Sequence, residues 1–198
     1  WQMRTHDLND EYKALLDRPG VPVKAVGDVQ AAFAGAAASA ADYIFPYVAH
    51  AAMEPMNCVI RLGADGCEVW NGEQMQTLDQ IHVAAVLGLQ PEQVKLHMVF
   101  AGGSFGRRAN VHSDYLVEAA EIVKAIGGRA PVKLVWTRED DMRGGYYRPY
   151  YHHRIKATLD KAGNVTGWQH RIVGQSIASG TPAEGFLVKD GIDQSSVE

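Results

Sequence analysis

The sequence lacks the features that mark several common classes of protein. It has two cysteines in 198 residues, whereas an iron–sulfur cluster takes four thiolates. It has no run of Lys or Arg and a formal net charge of −4, so nucleic acid is not an expected partner. No apolar run approaches the roughly 20 residues of a membrane-spanning helix, so no transmembrane segment is predicted. Residues 1–6 also differ from the basic start and apolar core of a signal peptide.

The two cysteines can form one disulfide or remain as two free thiols. Cys58 and Cys67 begin two short apolar runs, residues 58–62 and 67–70, which flank the turn-forming sequence at residues 63–66. This pattern predicts a β-hairpin. The thiols can form one disulfide, or they can stay free, and we expect two free thiols. The sequence does not fix the redox compartment and leaves a bacterial cytoplasm and a periplasm both open.

Hydrophobic residues make up 46% of the chain, which is enough for one core of ordinary size. Helical spacing and end signals predict helices at residues 8–17, 29–38, 76–87 and 113–126. Apolar and β-branched runs predict strands at residues 43–48, 58–62, 67–70, 94–100, 132–136, 150–159 and 165–173. The last two strands form a second hairpin. This mixture predicts an α+β fold with a mixed sheet, helices packed on one side of it, and two β-hairpins.

Residues 102–108, Gly-Gly-Ser-Phe-Gly-Arg-Arg, are the most informative stretch, and we call them the glycine loop. Glycines have no Cβ, so the amides of such a loop can approach a ligand closely. A loop between a strand and a helix can cradle an anion or a cofactor. A tight turn without a ligand fits the pattern equally well. The spacing matches neither Gly-x-Gly-x-x-Gly nor Gly-x-x-x-x-Gly-Lys-Ser/Thr, the two common phosphate loops.

A series of motifs in a fixed order gives the glycine loop its context. They lie at residues 50–58, 69–74, 101–108, 132–141 and 147–149. Together they resemble the molybdopterin-binding large subunit of the xanthine dehydrogenase/aldehyde oxidase family, in the branch of the isoquinoline 1-oxidoreductase β-subunit. Large subunits of this family are several times longer, and the chain starts at Trp1, so the resemblance implies a fragment of a subunit.

The resemblance divides the chain into three segments. Residues 1–42 form an N-terminal helical and linking segment, and residues 43–174 form a molybdopterin-binding-like domain. Residues 175–198 form a truncated tail that is rich in Ser, Gly and polar residues, for which we expect a loop-like structure.

The resemblance implies an oxidoreductase whose cofactor is molybdenum–molybdopterin. The parent subunit would hydroxylate an N-heterocycle or an aldehyde with oxygen derived from water. Its electrons would leave through a small partner subunit that carries [2Fe-2S] clusters. The pterin dithiolene holds the metal, so no protein ligand to molybdenum is expected. The general base is a Glu near the C-terminus of the full subunit, outside this chain, so the isolated chain is expected to be inactive.

The resemblance also implies roles for individual residues. Gln74 matches the Gln of a Thr-Gln motif in the family that hydrogen-bonds an oxo ligand on molybdenum. Its amide supplies both a donor and an acceptor. Arg107 and Arg108 follow in the glycine loop, and one of them is expected to offset negative charge on the cofactor, unless both are ordinary solvated arginines. The cofactor-binding residues implied by the match are Gly103, Ser104, Phe105, Gly106 and Arg107.

The sequence departs from the family pattern near the loop. Glu73 stands where the family has Thr, and Ser104 stands where it has a third Gly. Because Ser has a Cβ, a positive φ at that position would cost energy. Ala109 replaces a Glu that binds the purine in xanthine-oxidising members, and Ala cannot accept a hydrogen bond. Purine hydroxylation is therefore disfavoured, and smaller N-heterocycles or aldehydes are favoured.

A second class of function fits the same sequence. The chain could be a non-catalytic folding or binding module with a vestigial cofactor loop, and the departures at Ser104 and Ala109 favour this alternative. His50 and Glu54 have a spacing that could bind a metal on a helix, but Pro55 stops a helix there and no third ligand is near. We expect a structural role for both.

Overall fold

The computed structural model describes residues 4–197. Its helices are α1 (Thr5–Leu16), α2 (Val29–Phe33), α3 (Gln76–Leu87), α4 (Asp114–Ala125), α5 (Arg138–Arg143) and α6 (Glu184–Leu187). Its strands are β1 (Ala38–Phe45), β2 (Asn57–Leu62), β3 (Cys67–Asn71), β4 (Val94–Met98), β5 (Val132–Val135), β6 (Tyr151–Leu159), β7 (Val165–Gly174), β8 (Val188–Lys189) and β9 (Ile192–Asp193). Short 3-10 turns lie at Pro91–Gln93 and Gln194–Ser196. None of the helices within residues 4–197 is both long enough and apolar enough to cross a bilayer.

The chain forms two compact units, and the central one consists of residues 48–148. It contains a four-stranded sheet in the order β4-β3-β2-β5. β2 pairs antiparallel with β3 and with β5, whereas β3 and β4 are parallel. A parallel pair needs a crossover connection, and α3 supplies it. Gly88 ends α3 in the left-handed conformation, with φ of 71°, as the sequence predicts.

The core of the central unit lies between this sheet and helices α3 and α4. Alternate residues of β2 and β3 are buried, which is the pattern of strands with one covered face. α4 contributes the apolar stripe of an amphipathic helix. The buried residues of the core are Met56, Cys58, Ile60, Cys67, Val69, Val83, Ala84, Val94, Tyr115, Leu116, Ala119, Ala120 and Val123.

The other unit is made by the described residues up to Tyr47 and those from Pro149 onwards. Its three-stranded antiparallel sheet has the order β1-β6-β7, and α1 and α2 pack against it. Arg154 on β6 joins neighbouring elements, with ion pairs of 2.7 Å to Asp42 on β1 and 2.6 Å to Asp17 after α1. β1 is an edge strand that ends just before Pro46, because proline cannot donate to a strand ladder.

The structure confirms the predicted α+β class, the mixed sheet and both hairpins. The predicted helix at residues 29–38 was too long, since α2 ends at Phe33 and β1 already begins at Ala38. The strand predicted at residues 43–48 is correspondingly shifted. Alanine favours helix only weakly, and antiparallel pairing of residues 38–45 with β6 overrides that preference.

The tail after residue 174 is more ordered than expected. It contains α6, the β8–β9 pair and a 3-10 turn. The Ser176 hydroxyl donates to the Asp193 carboxylate at 2.6 Å, which ties the start of the tail to its end. The predicted domain boundaries at residues 43 and 174 stay predictions. Positions 1–3 and 198 of the predicted terminal segments lie outside the described residues.

Both cysteines are free and buried, as expected from the hairpin. Burial raises the pKa of Cys58 to about 12 and that of Cys67 to about 11. At neutral pH both are therefore protonated thiols, which are poor nucleophiles. They serve as small apolar residues of the core.

The packing of the core predicts that alanine substitutions at two positions on α4 lower the free energy of unfolding by different amounts. Leu116 is fully buried, so Leu116→Ala should lower the free energy of unfolding by about 2–5 kcal/mol through lost burial and a residual cavity. Ile122 is 39% exposed, so Ile122→Ala should cost about 1 kcal/mol or less. Urea denaturation of the two variants measures the difference. Equal losses would contradict the position of α4 in the core.

Candidate cofactor site at the glycine loop

The glycine loop has an unusual backbone conformation. It follows β4 and leads towards α4, as the sequence predicts. φ is positive at Gly103 (99°), Phe105 (56°) and Gly106 (97°). Ser104 is not among the residues with positive φ. The non-glycine residue of the loop that has the unfavourable positive φ is Phe105. An aromatic residue in this region costs on the order of 1–3 kcal/mol, and such strain is concentrated at functional sites.

The loop presents unpaired backbone amides. The Gly102 amide donates to the Glu54 carboxylate, and the Arg107 amide to the Ser104 carbonyl at 3.0 Å. Between them, the amides at residues 103–106 donate to no group within residues 4–197. Phe105 is 69% exposed. The loop therefore offers consecutive N–H donors and an aromatic ring at its surface, an arrangement that suits an anionic or oxygen-rich ligand.

Gln74 is in direct contact with this loop. It follows β3 by a few residues, and its side chain is exposed. The Ser104 hydroxyl donates to Gln74 Oε1, and Ser104 Oγ accepts from the Arg108 amide at 3.1 Å. Because Oε1 accepts this bond, the orientation of the Gln74 amide is set, and its two N–H donors have no partner within residues 4–197. The structure thus brings together Gln74 and the loop, which sequence reasoning assigned to one site.

The buried side chain of Arg108 anchors the glycine loop. Its side chain is 1% exposed. The guanidinium donates to the Gly72 carbonyl at 2.9 Å, to the Gly103 carbonyl at 3.5 Å and to Glu54 at 3.3 Å. These bonds connect the segment after β3 with the glycine loop. Arg108 is therefore a buried anchor, and it is not the solvated arginine that the sequence left open.

Glu54 receives these bonds as a carboxylate. It accepts from Asn57, from the Gly102 amide and from Arg108, and these partners hold its pKa below the usual value. A Cβ at position 102 would lie 2.7 Å from the Glu54 Cβ, so only glycine fits there. Glu54 has the structural role that we expected, but its partner Arg108 carries no local signal in the sequence.

Arg107 is also buried, at 4% exposure. It pairs with Asp114 at 2.7 Å, and its guanidinium lies over the Trp136 ring, 5.3 Å from the centroid. A Cβ at Gly145 would clash with it. Asp114 balances the charge of Arg107, and this geometry favours a scaffold role for Arg107. The predicted contact of Arg107 with the cofactor stays a prediction.

Two buried acids lie next to the site, and sequence reasoning missed both. Glu73 precedes Gln74 and is 8% exposed, and neither of its carboxylate oxygens has a partner within residues 4–197. Burial and the nearby Asp79 raise the pKa of Glu73 to about 7. Burial also raises the pKa of Asp79 to about 6, against a hydrogen bond from Ser113. No local pattern distinguishes these acids from solvated ones.

The profile of the molybdopterin cofactor-binding domain matches residues 16–192. That range covers most of the chain. The chain belongs to the molybdopterin cofactor-binding domain family.

Two relatives show the extent of the similarity. Isoquinoline 1-oxidoreductase subunit beta of Brevundimonas diminuta is 38% identical over 131 residues, which cover 65% of this chain and 16% of the relative. The membrane-bound aldehyde dehydrogenase (pyrroloquinoline-quinone) of Gluconacetobacter polyoxogenes is 33% identical over 192 residues, which cover 94% of this chain and 24% of the relative. The chain thus spans a quarter or less of the length of these relatives.

A solved structure supports the fold. Quinoline 2-oxidoreductase from Pseudomonas putida 86 superposes with a TM-score of 0.59 over 73% of this chain and 18% of that chain. The sequences are 18% identical over this range, so the likeness concerns the fold alone.

The buried Glu73 predicts how stability depends on pH. Its folded-state pKa is raised from 4.5 to about 7, so the folded chain binds a proton that the unfolded chain releases, and stability falls as pH rises through this window. Glu73→Gln cannot ionise. Between pH 5 and pH 8 it should gain about 2–3 kcal/mol of unfolding free energy relative to the wild type.

Urea denaturation at the two pH values measures this effect. Glu121→Gln on the exposed face of α4 is the matched control and should follow the wild type. A constant difference between Glu73→Gln and wild type across the range would show that Glu73 is already ionised at pH 5.

Proposed function

We propose that this chain is part of the molybdenum cofactor-binding subunit of an oxidoreductase. The whole subunit hydroxylates an N-heterocycle or an aldehyde with oxygen derived from water. The observation that carries the proposal is the hydrogen bond of Gln74 to the glycine loop, which brings the side-chain amide close to backbone amides at residues 103–106 that have no partner within residues 4–197.

The donor set at the loop fits the chemistry of the cofactor. Molybdopterin with its metal carries anionic sulfur and oxygen atoms, which need N–H donors and no further protein ligand. When bound, the cofactor supplies the oxygen transfer and the two-electron redox chemistry. The residues of this chain that would contact it are Gln74, Gly103, Ser104, Phe105 and Gly106.

Arg107 is not proposed to contact the cofactor directly. Its guanidinium is paired and buried, so we propose that it acts on the cofactor through the shape of the loop. Asp114 and Trp136 hold it there.

The substrate class follows from the surroundings of the loop and from the relatives. Ala109 is exposed, and its methyl side chain cannot accept a hydrogen bond, which disfavours a polar purine. One relative is named for isoquinoline and the other for an aldehyde, and both names support a small N-heterocycle or an aldehyde. The relative named as subunit beta also supports a partner subunit, and we propose that this partner carries the [2Fe-2S] clusters that remove the electrons.

Gln74 provides the direct test in the full-length subunit. Gln74→Ala should slow the reductive half-reaction on the order of 30- to 150-fold, which corresponds to about 2–3 kcal/mol of lost transition-state stabilisation. Cofactor content should stay near normal, because the loop amides and the rest of the subunit hold the pterin. Stopped-flow rates and molybdenum content are measured on the same preparations.

Gln30→Ala, at an exposed glutamine on α2, is the matched control and should leave both quantities unchanged. An unchanged reductive rate at equal molybdenum loading would make Gln74 a bystander. The glycine loop would then be the vestige of a cofactor site in a binding module.

The 198-residue chain on its own should contain no stoichiometric molybdenum or molybdopterin. It spans a quarter or less of its relatives, and we propose that most cofactor contacts and the general base lie in the remainder. Elemental analysis and pterin fluorescence of the purified chain test this. Stoichiometric cofactor in the isolated chain would contradict it.

A further inference from the structure

Two histidine side chains meet on the three-stranded sheet, and they share no residue with the candidate cofactor site. His153 lies on β6 and His170 on β7, the neighbouring antiparallel strand. His153 Nδ1 is 2.8 Å from His170 Nε2, and the ring centroids are 5.0 Å apart, so the two imidazoles meet nitrogen to nitrogen. Because the strand ladder holds both backbones, only rotation of the side chains can move these two nitrogens relative to each other.

The pair lies on the face of this sheet that points away from α1 and α2. Arg154, the next residue of β6, pairs with Asp17 at the end of α1. Side chains of successive strand residues point to opposite faces, so His153 faces away from the helices. His152 is on the helix side, where it is 1% exposed and its ring centroid lies 6.0 Å from that of Tyr12. The two histidines that can act together are therefore His153 and His170.

A pocket of about 400 Å³ opens beside the pair. Its other lining residues are Tyr43 and Phe45 on β1 and Ile155 on β6. Tyr43 is 49% exposed and Phe45 is 53% exposed, so water reaches the pocket from the surface. Within residues 4–197, no third His, Cys, Asp or Glu joins the two histidines. An ion held here would have two protein ligands and would take its remaining ligands from water.

We propose that His153 and His170 form a binding site for a divalent transition-metal ion of the copper(II) type. Imidazole nitrogen is a ligand that copper, nickel and zinc all accept. The spacing of the nitrogens distinguishes among these ions. Two neighbouring ligands of a square-planar ion, each about 2.0 Å from the metal, lie about 2.8 Å apart, whereas two ligands of a tetrahedral ion lie about 3.3 Å apart. The observed 2.8 Å fits the square-planar arrangement.

The protonation of the pair allows an ion to bind. Burial, together with the charges of His170 and His152, lowers the pKa of His153, which keeps its imidazole neutral near neutral pH. Each neutral ring has one N–H and one lone pair. In the metal-free pair, one ring donates its N–H to the other. When the ion binds, the proton of the donating ring moves to the other nitrogen of that ring, so both rings stay neutral and both facing nitrogens offer a lone pair.

The two rings differ in how far they can turn towards the ion. The Phe45 ring stands edge-on to that of His153, with centroids 5.2 Å apart, and limits its rotation. His170 is exposed, so its ring supplies most of the movement that directs both lone pairs to one point. The bound ion would then connect β6 with β7 through side chains, next to the backbone hydrogen bonds that already pair these strands.

Metal titration of the 198-residue chain tests the site. Calorimetry with Cu²⁺ should give about one ion per chain, and electron paramagnetic resonance should show two nitrogen ligands. Zn²⁺ should bind more weakly than Cu²⁺, both because its tetrahedral preference requires wider spacing and because copper binds nitrogen sites more tightly. His170→Gln and His153→Gln should each weaken Cu²⁺ binding at least about tenfold, because even outer partners of a metal ligand are worth 10- to 100-fold in affinity.

His6→Gln is the matched control, since His6 is an exposed histidine on α1 and lies beside Asp7. It should leave the affinity and the two nitrogen ligands unchanged. Circular dichroism checks the fold of each variant, and His170→Gln decides alone if His153→Gln does not fold, because His170 is exposed. Unchanged Cu²⁺ affinity in His170→Gln, or a spectrum without two nitrogen ligands in the wild type, would overturn the site and leave the pair as a cross-strand hydrogen bond. Neither result bears on the proposed function, which uses other residues.

Discussion

The candidate site depends on the burial of one guanidinium group. Arg108 joins the carbonyls of Gly72 and Gly103 to the Glu54 carboxylate, so the segment after β3 and the glycine loop share one anchor. The Arg108 side chain is 1% exposed but that of Glu54 is 35% exposed, so removing Glu54 should cost less than the roughly 3–5 kcal/mol of a fully buried ion pair. The positions of Gln74 and of the loop amides follow from this anchor. Arg108 thus sets the geometry of a site whose ligand it does not touch.

The two arginines of the glycine loop are not the groups that attract an anion to the site. Both guanidinium groups are buried and paired, Arg108 with Glu54 and Arg107 with Asp114. Attraction for a negatively charged ligand therefore comes from oriented backbone amides, which carry fixed partial charges and lose no side-chain entropy when they bind. The arginines contribute indirectly, by holding those amides in a strained arrangement that includes a positive φ at Phe105.

Regular periodicity and turn residues made much of the fold predictable. The hairpin of β2 and β3, helices α3 and α4, and the place of the glycine loop all follow from local signals such as Gly88. The pairing of Glu54 with Arg108 and the burial of Glu73 could not be predicted, because they arise where distant segments pack. Ser113 shows the difference well. It was predicted only as the first residue of a helix; it is the N-cap of α4, but its hydroxyl makes no cap and instead donates to Asp79 on α3.

Environment separates the roles of the acids around the loop. Glu54 accepts hydrogen bonds from Asn57, Gly102 and Arg108, so it is ionised and structural. The Glu73 oxygens are buried without a hydrogen bond of normal geometry within residues 4–197, and burial raises the pKa of Glu73 to about 7. The same type of side chain is thus a fixed charge at position 54, whereas at position 73 burial brings its pKa close to neutral pH. Glu73 stands where the resemblance implies a Thr in the family, so we expect the raised pKa beside Gln74 to distinguish this chain from members that carry the Thr.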